Sequence, residues 1–173
     1  MRQRTKKIIV IGYGNPGRLD DGLGPAFADA VEKLALPNVT VESNYQLTVE
    51  DASLVAEYDI AVFADADIKC PKSFSIRRIE KDVAPSYTTH IIEPETVLSL
   101  ARRLFDAKTK GYLLGIRGYE FNEFGERLSE YAEENLSVTL DYVKPFLVSG
   151  CFDKIEHNNE SSVARAAHIR NGD

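Results

Sequence analysis

The sequence predicts a single α/β domain in three layers, a mostly parallel sheet sandwiched between helices. Three observations predict it. Residues 8–11, 60–64 and 111–116 are short, largely apolar runs, the pattern of strands buried on both faces. The stretches between them carry apolar residues at helical spacing. Strand and helix patterns alternate along the chain without an internal repeat, as in sheets covered on both sides.

The elements follow in order. Residues 6–12 form the first strand. A helix begins at about Asp21 or Pro25 and runs to Leu36, with Phe27, Val31, Leu34 and Ala35 at helical spacing, until Pro37-Asn38 breaks it. Residues 39–43 alternate like a strand. A weaker helix covers 48–57, with Thr48 as its N-cap. The apolar run 60–64 is a central strand ending in Asp65-Ala66-Asp67. Residues 73–79 alternate apolar and polar, as a half-exposed edge strand does. Pro94 suits the first position of a helix whose apolar face is Val97, Ala101, Leu104 and Phe105. After the strand at 111–116, a long helix starts near Glu126, with Leu128, Ala132, Leu136, Leu140 and Val143 on one face. Pro145 is expected to kink or end it. The domain thus spans 1–149. Residues 150–173 are polar and patternless and read as a disordered tail, whose removal should leave folding unchanged.

Composition narrows the class. A chain of 173 residues suits one domain and buries about 70% of the surface its unfolded form exposes. Its net charge of −6 argues against a life on nucleic acid or on an anionic membrane. The apolar run after the basic N-terminus is too short for a signal-peptide core or a membrane span. Two cysteines, Cys70 and Cys151, lie far apart and outside any motif, so neither a disulfide framework nor a structural zinc site is expected. The expected compartment is the cytoplasm.

The chain is organised around residues 8–25. The first strand empties into a glycine-rich loop that closes on Asp20-Asp21. Gly12-x-Gly14-x-x-Gly17 matches the dinucleotide fingerprint, but that fingerprint needs its glycines to open a helix directly onto a pyrophosphate. Here Pro16 intervenes, and two aspartates near a helix start repel phosphate.

Ligands of open α/β sheets sit beyond the carboxyl ends of the strands. Asp20-Asp21 follows the first strand, Asp65 closes the third, and His90 lies in the loop before the helix at Pro94. Carboxylates and an imidazole from three loops make an open metal site with vacant positions, poor in ligands because no thiolate contributes. Each residue also has a plain structural role open to it. Either aspartate of the pair can cap a helix, Asp65 can end a turn, Asp67 competes with Asp65 for the same face, and His90 can bond the loop backbone. His157 and His168 read as solvated bystanders. Motifs of zinc peptidases, serine hydrolases and aspartic proteases are missing.

Taken together, residues 12–25 (Gly-Tyr-Gly-Asn-Pro-Gly-Arg-Leu-Asp-Asp-Gly-Leu-Gly-Pro) closely resemble the opening motif of the nickel–iron hydrogenase maturation endopeptidases. Phe63-Ala64-Asp65-Ala66 resembles that family's second acidic motif and Thr88-Thr89-His90 its histidine motif. Likeness continues through 94–104, Gly115-Ile116-Arg117-Gly118-Tyr119-Glu120-Phe121 and Leu128-Ser129, covering roughly residues 7–143 in order. The resemblance implies a twisted α/β sheet between helices, and an activity that removes a short C-terminal peptide from a hydrogenase large subunit once nickel is installed. It also implies the metal contacts, Asp21, Asp65 and His90. Asp21 is chosen over Asp20 because the family places its acid immediately before the glycine.

On that basis the expected function is metal-gated peptide hydrolysis, with Asp21, Asp65 and His90 as both the catalytic and the metal-contacting residues. Nickel would be carried by the hydrogenase large-subunit precursor, which is the expected partner. No nucleic-acid or membrane partner and no oligomer beyond a monomer are expected. Asn15 and the loop glycines would shape the pocket floor, and Asp20 would support the metal's ligands from outside. The competing readings are a non-catalytic nickel-binding chaperone module and a Rossmann-like nucleotide binder using Gly12 to Gly17, with Glu42 as its ribose acid.

Overall fold

The computed structural model describes residues 4–80 and 92–155. The elements run β1 (Ile8–Tyr13), a 3-10 turn (Leu19–Gly22), α1 (Leu23–Glu32), β2 (Val39–Asn44), α2 (Asp51–Val55), β3 (Ile60–Asp67), β4 (Phe74–Arg78), α3 (Pro94–Phe105), β5 (Lys110–Arg117) and α4 (Glu130–Ser149). One five-stranded sheet is ordered β2-β1-β3-β5-β4, all parallel except β4, which pairs antiparallel with β5 at the edge.

The layering follows from alternation along strands that are apolar on both faces. Ile8, Val10, Ile60, Val62, Ala64 and Leu114 face one way, into a core closed by Leu23, Phe27 and Val31 of α1 and Ala132, Val143 and Leu147 of α4. Ile9, Ile11, Ala61 and Phe63 face the other way, against Ala52 and Val55 of α2 and Val97, Leu98 and Ala101 of α3. The predicted three-layer α/β class is what the chain adopts.

Several local expectations shift, each for a physical reason. The second helix is shorter than 48–57, and Thr48 donates where it was expected to accept: its N–H (2.7 Å) and hydroxyl (3.2 Å) both bond the Asp51 carboxylate. In α3 the buried side is Val97, Leu98 and Ala101, while Leu104 and Phe105 are 67% and 51% exposed. That helix is backed mainly by α2 and β5, which leave its last turn uncovered. The final helix starts at Glu130, where the Ser129 hydroxyl accepts from the Ala132 N–H at 3.3 Å. It runs through Pro145 to Ser149 and stops at Gly150, whose φ of 68° suits a left-handed cap. Asp141 and Pro145 both lie on the exposed side, where water can satisfy the carbonyl that the proline leaves without a donor.

The packed unit also extends past 149. Phe152 and Ile155 are 1% and 0% exposed, and the Phe152 ring meets Tyr112 at 5.0 Å between centroids. Two apolar residues in a polar stretch have no period to read, so the sequence pattern hid this short docked turn. Residues 156–173 lie outside the described residues. Among the described residues no helix is long and apolar enough to cross a membrane.

Candidate functional site

The strand order places a switch point between β1 and β3. The chain leaves β1 toward β2 on one side and returns through α2 to β3 on the other, which opens a crevice at the carboxyl ends of β1 and β3. Asp21 follows β1, and Asp65 lies near the end of β3, which runs on to Asp67 where the apolar run alone suggests an end at Asp65.

The turn that carries Asp21 is built by close approach. Gly14 has φ of 137°, and a Cβ there would stand 2.1 Å from the Asp21 carbonyl oxygen. A Cβ on Gly24 would stand 2.2 Å from the Tyr13 oxygen and 2.5 Å from that of Ala64, so only glycine lets α1 start this near the strand ends. The loop's interior is thereby filled by the protein's own 3-10 turn, which leaves no cradle for a pyrophosphate. Within the loop the Asn15 side chain accepts from the Gly17 N–H at 2.9 Å, and the Asn15 N–H donates to the Asp21 carboxylate at 3.0 Å. Asn15 therefore orients Asp21 as well as closing its own turn.

The neighbouring aspartates part company. Asp20 is fully buried. Its carboxylate accepts from the N–H groups of Tyr119 (2.8 Å), Glu120 (2.9 Å) and Ser129 (2.7 Å) and from the Ser129 hydroxyl (2.7 Å). Burial opposes its charge, but those donors more than offset it and hold its pKa below the usual carboxylate range. Asp20 thus fastens the loop after β5 and the start of α4 to the 3-10 turn. With both oxygens occupied there, it does not serve as an outer support for a metal ligand, as the sequence had suggested.

Asp65 behaves differently. Burial raises its pKa to about 6; the Ala66 N–H, at 2.7 Å, pulls it down, the charge of Asp21 raises it, the Tyr13 hydroxyl lowers it and Glu93 raises it. The Tyr13 phenol donates to Asp65 and is itself held far into its protonated form, chiefly by burial and then by the charges of Asp65 and Glu93. Asp67, the competing acid, turns away: it accepts from the Lys69 N–H at 2.8 Å and the Cys70 N–H at 3.0 Å.

Asp21 and Asp65 are therefore brought within electrostatic reach of each other. His90 lies outside the described residues; the described chain resumes at Ile92, and Glu93 starts α3 close enough to act on Asp65. Among the described residues no three His, Cys, Asp or Glu side chains gather as a metal cluster. A crowded carboxylate pair, one member poorly hydrated, has the chemistry of a site that a cation would relieve. Two participants escaped the sequence reading. Tyr13 carried one signal, a phenol ending an otherwise aliphatic strand; Glu93 carried none beyond standing before Pro94.

No family profile matches the chain. The hydrogenase expression/formation protein HupD of Thiocapsa roseopersicina is 24% identical over 94% of this chain and 76% of its own length. The fold superposes on the [NiFe] hydrogenase maturation protease HycI of Thermococcus kodakarensis KOD1 with a TM-score of 0.64, at 24% identity, over 82% of this chain and 92% of that one. An endopeptidase from Escherichia coli gives a TM-score of 0.60 at 26% identity, over 79% and 89% of the two chains. The architecture is that of the hydrogenase maturation peptidases. The similarity to HupD, which runs along nearly the whole chain, agrees with that architecture.

Proposed function

We propose that this chain is a metal-gated endopeptidase that removes the C-terminal peptide from a nickel-loaded hydrogenase large-subunit precursor, with Asp21, Asp65 and His90 contacting the nickel. The observation that carries the reading is the meeting of Asp21 with Asp65 at the β1/β3 switch point, where Asp21 helps raise the Asp65 pKa to about 6. Paired carboxylates of this kind favour a cation between them. Nickel here is the substrate's cargo. Two carboxylates and one imidazole are too few and too hard a set to hold it tightly, so a centre whose remaining ligands come from the precursor binds best. Selection of loaded over empty precursor is then a difference of two affinities.

The protein's own residues divide the work. The Asn15 N–H fixes the direction of the Asp21 carboxylate, and the Tyr13 phenol that of Asp65. To contact the metal Asp65 must be ionised, and a cation beside it would lower its pKa from about 6. A bound metal would polarise the scissile carbonyl or activate water. We expect the protein to act in the cytoplasm as a monomer.

Incubation with nickel-loaded and nickel-free precursor, followed by mass measurement of the large subunit, tests the reading. Loss of the C-terminal peptide from the loaded form alone is expected. An uncut loaded precursor would sink the peptidase reading and leave a non-catalytic nickel-binding module.

A further inference from the structure

The segment Gly115 to Phe121 has no role in the chemistry above, yet it ends at the same sheet edge. Arg117, the last residue of β5, pairs in register with Asp67, two residues beyond the Asp65–Gly115 pair. At ordinary strand spacings its Cα lies about 8 Å from that of Asp65. Its guanidinium is seated from two directions. One N–H donates to the Cys70 carbonyl at 2.9 Å, and the group lies over the Tyr119 ring, 5.2 Å from the centroid. The Tyr119 hydroxyl in turn accepts from the Asn135 side chain at 3.2 Å. Beside the guanidinium opens a groove of about 450 Å³ lined by Cys70, Pro71, Lys72, Ser73, Arg117 and Tyr119.

Among the described residues neither Arg117 nor Lys72 has a carboxylate partner. That is notable in a chain of net charge −6. A guanidinium fixed by a carbonyl and a ring, with N–H groups to spare and an ammonium alongside, is a pre-organised receptor for a planar anion. We propose that Arg117 and Lys72 form a subsite that takes a carboxylate of the peptide substrate, either its terminal carboxylate or an Asp or Glu side chain, a residue or two from the bond being cut. The proposal rests on the peptidase reading for its substrate class, and on the seated guanidinium and the groove for its chemistry. Carboxylate is favoured over phosphate because the proposed substrate is a peptide.

Three acetylated alanine pentapeptides titrated into the full chain test it: one with a free C-terminus, one amidated, and one amidated with a single glutamate. NMR shifts of the Arg117 Nε–H and the Ser73 amide are the readout. The neutral amide should leave both signals in place, and at least one carboxylate peptide should move them. A response to the free terminus alone assigns the terminal carboxylate, and a response to the glutamate peptide assigns a side chain. Lys72→Ala and Arg117→Lys should each weaken that binding about tenfold and raise the KM for precursor similarly at unchanged kcat. Should Arg117→Lys misfold by circular dichroism, Lys72→Ala, on an exposed loop, keeps the test. Binding that ignores both variants, equal binding of the neutral amide, or inorganic phosphate binding where no peptide does would overturn the subsite. If wild type cuts precursor while both variants keep its KM, the subsite fails and the peptidase reading stands. If peptides bind as stated but precursor is never cut, the peptidase reading fails and the anion site remains.

Discussion

At the scale of single residues, Asp20 and Asp21 show how one peptide bond separates two roles. Asp20 accepts four bonds, from three backbone N–H groups and one hydroxyl. Removing it would strand those buried donors, so Asp20→Ala should destabilise the protein by about 3–5 kcal/mol in a urea titration. Because its folded pKa is lowered, its stabilisation is present above the ordinary carboxylate pKa and is lost as pH falls through the folded value. Asp65 has the opposite sign. Its pKa is raised to about 6, so its favourable contribution is full below the unfolded pKa and is lost as pH rises through 6. At neutral pH the ionised carboxylate therefore costs stability. Asp65→Asn should abolish processing yet raise stability at pH 7 on the order of 1–2 kcal/mol, after allowance for partial exposure. The gain in melting temperature, a few degrees, should vanish near pH 4. An unchanged melting temperature at both pH values would refute the assigned environment. Sequence patterns could not separate these two aspartates, because what divides them is donors 99 to 109 residues away. The family resemblance names Asp21 only from the place of its acid immediately before the glycine.

At the scale of elements, strand runs were legible because strands buried on both faces have no alternative composition. Residues 8–11 and 60–64 announced β1 and β3 outright, and the alternation in 73–79 announced the edge strand β4. Helix ends were less legible, since caps are decided by partners. Ser129 caps α4 while its own N–H and hydroxyl are held by Asp20, a coupling invisible along the chain. Pro145 illustrates a local rule outweighed by packing of Val143 and Leu147 on either side of it. Pro145→Ala should restore a helix donor and raise stability by about 1–3 kcal/mol, measured by thermal unfolding. The start of α1 is the element most sensitive to a single methyl group. Gly24→Ala would set a Cβ 2.2 Å from the Tyr13 oxygen, and it should cost more than about 3 kcal/mol and disturb the site together with the fold.

At the scale of the whole molecule, sheet order was not legible from alternation alone, since several parallel orders satisfy it. The order β2-β1-β3-β5-β4 is what brings two acids separate in sequence within electrostatic reach, by putting the strands that end near Asp21 and Asp65 side by side at a switch point. The docked turn after α4 completes the packing at the opposite end of β5, where Phe152 meets Tyr112. Phe152→Ala should therefore cost about 3–5 kcal/mol, where a tail free of the core would tolerate it. The central claim is that Asp21, Asp65 and His90 together read and process a nickel-loaded precursor. It is tested most directly by the mass of that precursor after incubation with Asp21→Asn, Asp65→Asn or His90→Ala protein, each verified as folded by thermal melting. All three variants should leave the precursor full length while wild type shortens it; shortening by all three at the wild-type rate would contradict that role.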